Sequence, residues 1–145
     1  MFSFLKRKGN TKEPVLESQK PSSWLETSLK DLKRAEELLA KDPDISAHLA
    51  WQAARKALKA MEKKAGKRIA EPSLEKIFLH FPEGKQAPRP VKEAVKFLDL
   101  FKRLASHEDI FLETNLGLGS LTQEDARRVL NAAQTLINHL AHRLK

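Results

Sequence analysis

The chain has 145 residues, of which 41% are apolar and 32% charged, with a formal net charge of +8. That is enough for one domain with a real core. It has no cysteine, which excludes a disulfide scaffold, a thiol nucleophile, a cysteine-ligated zinc finger and an iron–sulfur site. No apolar run approaches the ~18 residues of a membrane span, and the simplest compartment is the cytoplasm.

Residues 1–21 read as a disordered basic tail, broken by Gly9, Asn10, Pro14 and Pro21. Its first residues are apolar and then basic, the reverse of a secretory signal. Phe2 and Phe4, followed by Lys6, Arg7 and Lys8, form a candidate membrane-surface anchor, with rings at the headgroups and cations on anionic lipid. The rest, 22–145, reads as one helical bundle.

Ser23-Trp24-Leu25-Glu26 has the pattern of a capping box, so the first helix is predicted to start at Ser23. Leu25, Leu29, Leu32, Ala35 or Glu36, and Leu39 trace its apolar stripe, and Asp42-Pro43-Asp44 ends it. A second helix is predicted after Asp44 as N-cap, with Ile45, Leu49, Ala53, Ala57, Leu58 and Met61 inward and Gly66 as the stop. Its alanines favour close helix approach and place it at the centre. Trp24 is expected in the core or at an interface. Trp51 lies off the stripe and should face another helix, a partner or solvent.

A short third helix follows Ser73 and carries Leu74, Ile77, Phe78 and Phe81, closed by Pro82. Residues 82–90 read as a loop, with Pro90 suited to the first turn of the next helix. Val91, Val95, Leu98 and Phe101 carry that helix to about Ser106. Residues 107–121 are less regular. The last helix opens at Thr122 and runs through Ala126, Val129, Leu130, Ala133, Ile137, Leu140 and Leu144. The predicted fold is all-α, an antiparallel four-helix bundle with one extra short helix.

Charge is concentrated in one stretch. Residues 55–68 hold seven cations against Glu62 alone. Such a patch is an electrostatic footprint for phosphate. Arg55, Lys56, Lys59, Lys63 and Lys67 are the candidate contacts, with Lys56, Lys59, Lys63 and Lys67 near one helix face. No aromatic residue lies inside the stretch, so base stacking there is not expected. His139 and His142 share a side of the last helix, but two histidines without a nearby carboxylate make no metal site.

The segment Gln52-Ala53-Ala54-Arg55-Lys56-Ala57-Leu58-Lys59-Ala60 resembles the helical core motif of HEPN (higher eukaryotes and prokaryotes nucleotide-binding) domains. Trp24-Leu25, Asp31-Leu32 and Ala35 are similar to that family's first helix, and Thr122–Ala126 with Leu130, Ala133 and Leu140 to its last. The resemblance implies a small helical bundle that forms homodimers. Many members are RNases, often toxins or antiviral effectors. Others are non-catalytic partners that bind RNA or nucleotide, some beside a nucleotidyltransferase.

The nuclease members carry an Arg and, after about four to six residues, a His, which serve the phosphorane charge and proton transfer. Here Arg103 to His107 leaves three residues between, and Lys102 to His107 leaves four but puts lysine in the arginine's place. Lysine keeps the charge and loses the bidentate fork. The leading expectation is therefore a non-catalytic HEPN-like module that dimerises and binds RNA, nucleotide or a protein partner such as a nucleotidyltransferase, in a toxin–antitoxin or defence setting. It needs no cofactor and no metal. The rivals are a metal-independent RNase using Lys102, Arg103 and His107, and a membrane-associated adaptor held by Phe2, Phe4, Lys6, Arg7 and Lys8.

Overall fold

The computed structural model describes residues 20–106 and 121–144. Among them are six helices and no strand. Four are long: α1 (Pro21–Leu38), α2 (Pro43–Ala65), α5 (Arg89–Ser106) and α6 (Gln123–Leu144). Two are short: α3 (Leu74–Phe78) and α4 (Pro82–Lys85).

Proline opens more of these helices than the sequence reading allowed. Pro21 occupies the first turn of α1, where a missing N–H costs nothing. The helix thus begins two residues before the expected capping box. Ser23 lies inside it, and its carbonyl accepts the Thr27 hydroxyl at 3.0 Å. Likewise Pro43 lies in the first turn of α2, which makes Asp42 the N-cap rather than Asp44; its carboxylate accepts the Ile45 N–H at 3.2 Å. Pro82 opens α4 inside the stretch expected to be a loop.

Other boundaries fall where local chemistry put them. Gly66 ends α2 at φ 67°, and the Lys67 N–H reaches back to the Glu62 carbonyl at 2.9 Å. The Ser73 hydroxyl accepts the Lys76 N–H at the start of α3, and Thr122 Oγ1 accepts the Asp125 N–H at the start of α6. Phe81, placed in the third helix by its spacing, lies just past it and is buried between α3 and α4.

The long helices alternate in direction. The Asp44 carboxylate accepts the Leu121 N–H at 2.7 Å where α2 begins, and the Lys64 ammonium donates to the Arg143 carbonyl where α2 ends. α2 and α6 are therefore parallel, and they pack on each other at the centre. α1 lies along α2, and α5 lies along α6.

The α1–α2 contact is close because its residues are small. Ala47, Ala50, Ala53, Ala54, Ala57 and Ala60 are all buried. Two buried serines cross the seam reciprocally: Ser28 Oγ donates to the Ala53 carbonyl and Ser46 Oγ to the Ala35 carbonyl, each at 2.6 Å. Ser28 takes the inward place expected for Leu29, which is 40% exposed, and Ile45 is turned outward at 48% exposure. Leu58, Leu74, Ile77, Phe78, Leu98, Leu136, Ile137 and Leu140 fill the middle. Each such side chain contributes roughly 1.5–3 kcal/mol on burial.

Candidate functional site

The basic stretch lies on the second half of α2 and the turn beyond it. Arg55 is turned inward: its Nη1 lies 3.4 Å from Glu62 Oε2. Glu62 is only 2% exposed, and its other oxygen accepts the Ile69 N–H at 3.3 Å. A buried carboxylate needs such partners, so Arg55 is held in place by the cost of leaving Glu62 alone. Lys56 also meets a carboxylate, Asp31 of α1, at 2.7 Å. Two of the five phosphate candidates thus serve the bundle itself.

Lys59 and Lys63 are half-buried further along the helix, and Lys67 is exposed past Gly66. The Lys67 ammonium stands 6.0 Å from the centre of the Phe81 ring. Lys64 and Arg68 are exposed in the same region. Neither was among the phosphate contacts expected from the sequence, although both stand within the charged stretch. Lys64 caps the end of α6 through the Arg143 carbonyl, a contact no local pattern could signal.

Of the residues of the rival nuclease reading, Lys102 lies toward the opposite end of α2. The Lys102 ammonium sits over the Trp51 ring, 4.6 Å from its centre, within cation–π range. Trp51 therefore does face another helix, α5. Arg103 is exposed. His107 lies outside the described residues, and so do Phe2, Phe4, Lys6, Arg7 and Lys8.

The structure adds His48 to this corner, a residue to which the sequence pattern gave no role. Its ring meets Phe101 edge-on, with centroids 5.4 Å apart. Burial holds the His48 pKa below its ordinary value of 6.5, and the Lys102 charge pushes it the same way, while Asp44 opposes both. The Trp51 indole N–H is buried without a hydrogen-bond partner among the described residues.

His139 and His142 part company on α6. His139 is half-buried, its Nε2 3.2 Å from the Glu83 carbonyl and its ring edge-on to Phe78, whereas His142 is exposed. No group of three or more histidine, aspartate and glutamate side chains among the described residues could hold a metal ion. No helix among them is long and apolar enough to cross a membrane.

Comparison with known proteins bears on the fold first. An archaeal HEPN homologue, ST0689, superposes with a TM-score of 0.70 at 20% identity, covering 88% of this chain and 99% of its own. TT1696 from Thermus thermophilus superposes with a TM-score of 0.72 at 24% identity, covering 86% of this chain and 98% of its own. At these identities the likeness concerns the fold alone. No curated protein matches significantly in sequence. The HEPN domain family model matches residues 21–143, nearly all of the helical bundle. The chain belongs to the HEPN domain family.

Proposed function

We propose that this protein is a non-catalytic HEPN module that binds the phosphates of RNA or a nucleotide along the second half of α2. The observation that carries this reading is the fate of Glu62. It is the one carboxylate of residues 55–68, and it is buried against Arg55. The charge that residues 55–68 bring to the surface is therefore strongly positive, with Lys64, Lys67 and Arg68 exposed. A phosphate chain is the natural counterpart of such a surface.

The same reading includes a homodimer, and a nucleotidyltransferase-type protein as a further partner in a toxin–antitoxin or defence setting. Catalysis is left out because the Arg–His spacing is missing and because Lys102 lies over Trp51.

The test is binding of a labelled single-stranded RNA by the purified protein across a salt series. The native protein should bind, with log affinity falling linearly against log salt at a slope of about −0.7 per phosphate contact. The Lys59→Glu/Lys63→Glu/Lys67→Glu variant should lose binding and retain its helicity. No binding by the native protein overturns the proposal. Metal-independent cleavage of the RNA that disappears in His107→Ala replaces it with the nuclease reading.

A further inference from the structure

The Lys64 contact with the Arg143 carbonyl has a wider effect than capping one helix. Because α2 and α6 are parallel, their C-terminal ends share one end of the bundle. Lys64, Lys67 and Arg68 are brought there by α2 and its following turn, and His142 and Arg143 by α6. These α6 residues are about 75 positions away from the charged stretch in sequence, and only the fold adds them to it.

Lysines and arginines at helix C-termini also offset the helix dipole, so the charge has to be weighed. Each helix end carries about half a negative charge. Two ends together neutralise about one cation, and Lys64, Lys67, Arg68 and Arg143 supply four. Glu71, just past Arg68, is turned to His80 at 3.7 Å. The donors are not exhausted either. Lys64 gives one of its three N–H groups to a carbonyl, and Arg143 gives one of its five to the His139 carbonyl at 3.2 Å.

Charge then selects the ligand. A phosphodiester carries one negative charge, and the cations left over after the helix ends outnumber it. Successive phosphates of one strand can take them up in turn, each with charged donors at about 2.7–2.9 Å. Base recognition has no footing here: Phe78 and Phe81, the aromatic residues placed near this end, are buried.

We infer that the shared C-terminal end of α2 and α6 is a binding surface for the backbone of a nucleic-acid strand, contacting successive phosphates through Lys64, Lys67, Arg68 and Arg143 without reading the bases. This rests on the phosphate-binding reading above and extends it to a second helix and to a polymer.

The experiment compares native protein, Arg68→Gln/Arg143→Gln and Lys59→Gln/Lys63→Gln with 20-nucleotide poly-U, 20-nucleotide poly-A and uridine monophosphate. Removing two phosphate contacts should flatten the salt slope by about 1.4 and weaken the 20-mer by about 10- to 30-fold at ~0.1 M salt. Poly-U and poly-A should bind within about threefold of each other, and the mononucleotide far more weakly than either. Arg68→Gln alone, exposed and outside any helix, should give about half the slope change and serves if the double variant folds poorly.

Unchanged affinity in Arg68→Gln/Arg143→Gln, with loss in Lys59→Gln/Lys63→Gln, leaves phosphate binding on α2 standing and removes this surface. No binding of any probe by native protein overturns both. A mononucleotide bound as tightly as the 20-mers, or a tenfold preference between the two polymers, overturns the backbone-only inference.

Discussion

The Asp99 side chain of α5 is the cap of another helix: one of its oxygens accepts the Leu74 N–H at the start of α3, at 2.8 Å. Its other oxygen accepts the Glu75 N–H at 3.0 Å and the Ser73 hydroxyl at 2.7 Å. A five-residue helix cannot hold itself in water. Asp99 anchors it to α5, and Leu74, Ile77 and Phe78 then enter the core. Asp99→Ala leaves two backbone amides without their charged acceptor and should cost about 2–3 kcal/mol in urea denaturation. Asp99→Asn keeps one acceptor oxygen and should cost less. A loss below about 0.5 kcal/mol in the alanine variant would show that α3 is held by packing alone.

Two glycines should respond differently to the same change. At Gly84 an added Cβ would stand 1.9 Å from the Phe78 carbonyl oxygen, so Gly84→Ala must displace the backbone where α3 meets α4. A cost of about 1–3 kcal/mol is expected, the range of overpacking. At Gly66 nothing lies within 4 Å, and only the positive φ opposes a side chain. Gly66→Ala should cost about 1–2 kcal/mol, and Gly66→Asn should recover part of it. Gly84→Asn should not recover. Thermal melts of the four variants decide the point.

The His48 corner predicts an acid-sensitive stability. The folded pKa lies below 6.5, so the unfolded chain binds the proton more readily. Stability contributed by neutral His48 is therefore complete above the unfolded pKa. It declines as the pH falls below 6.5 and levels off beneath the folded pKa. His48→Gln should remove this component from a series of denaturation curves between pH 8 and pH 5. Lys102→Met should move the His48 titration, followed by NMR, upward. An unshifted His48 midpoint in that variant would mean that Lys102 does not act on the ring.

How much of this was legible in the sequence depends on how far apart the partners are. Gly66, Ser73 and Thr122 act within a turn of themselves, and they mark helix ends where expected. The start of α2 was misplaced because two aspartates flank Pro43, and only the preference of proline for the first turn separates them. The first helix was misplaced for the same reason, since Pro21 outranks the serine box behind it. The second anchor of α3, the Asp99 carboxylate, lies 25 positions away and leaves no local trace.

The family resemblance is instructive in the same way. In the motif Gln52–Ala60 the residues Ala53, Ala54, Ala57, Leu58 and Ala60 are all buried, most of them in the close seam or the core. The pattern is thus a record of packing, which is why it made the fold legible. Its two first cations, Arg55 and Lys56, face Glu62 and Asp31. The charged residues at the shared end of α2 and α6 become one surface only after folding.

The parallel pairing of α2 with α6 also sets a timetable for synthesis. A ribosome releases α1 and α2 first, and these two can zip along their alanine seam as a hairpin. The other face of α2 waits for α6, which is made last of the six helices. Until residues 123–144 have emerged, that apolar face lacks the cover that α6 provides. Non-local closure of this kind is slow compared with hairpin formation. The nascent chain therefore passes through a stage in which α2 is half-dressed, when chaperone attention or aggregation is most expected.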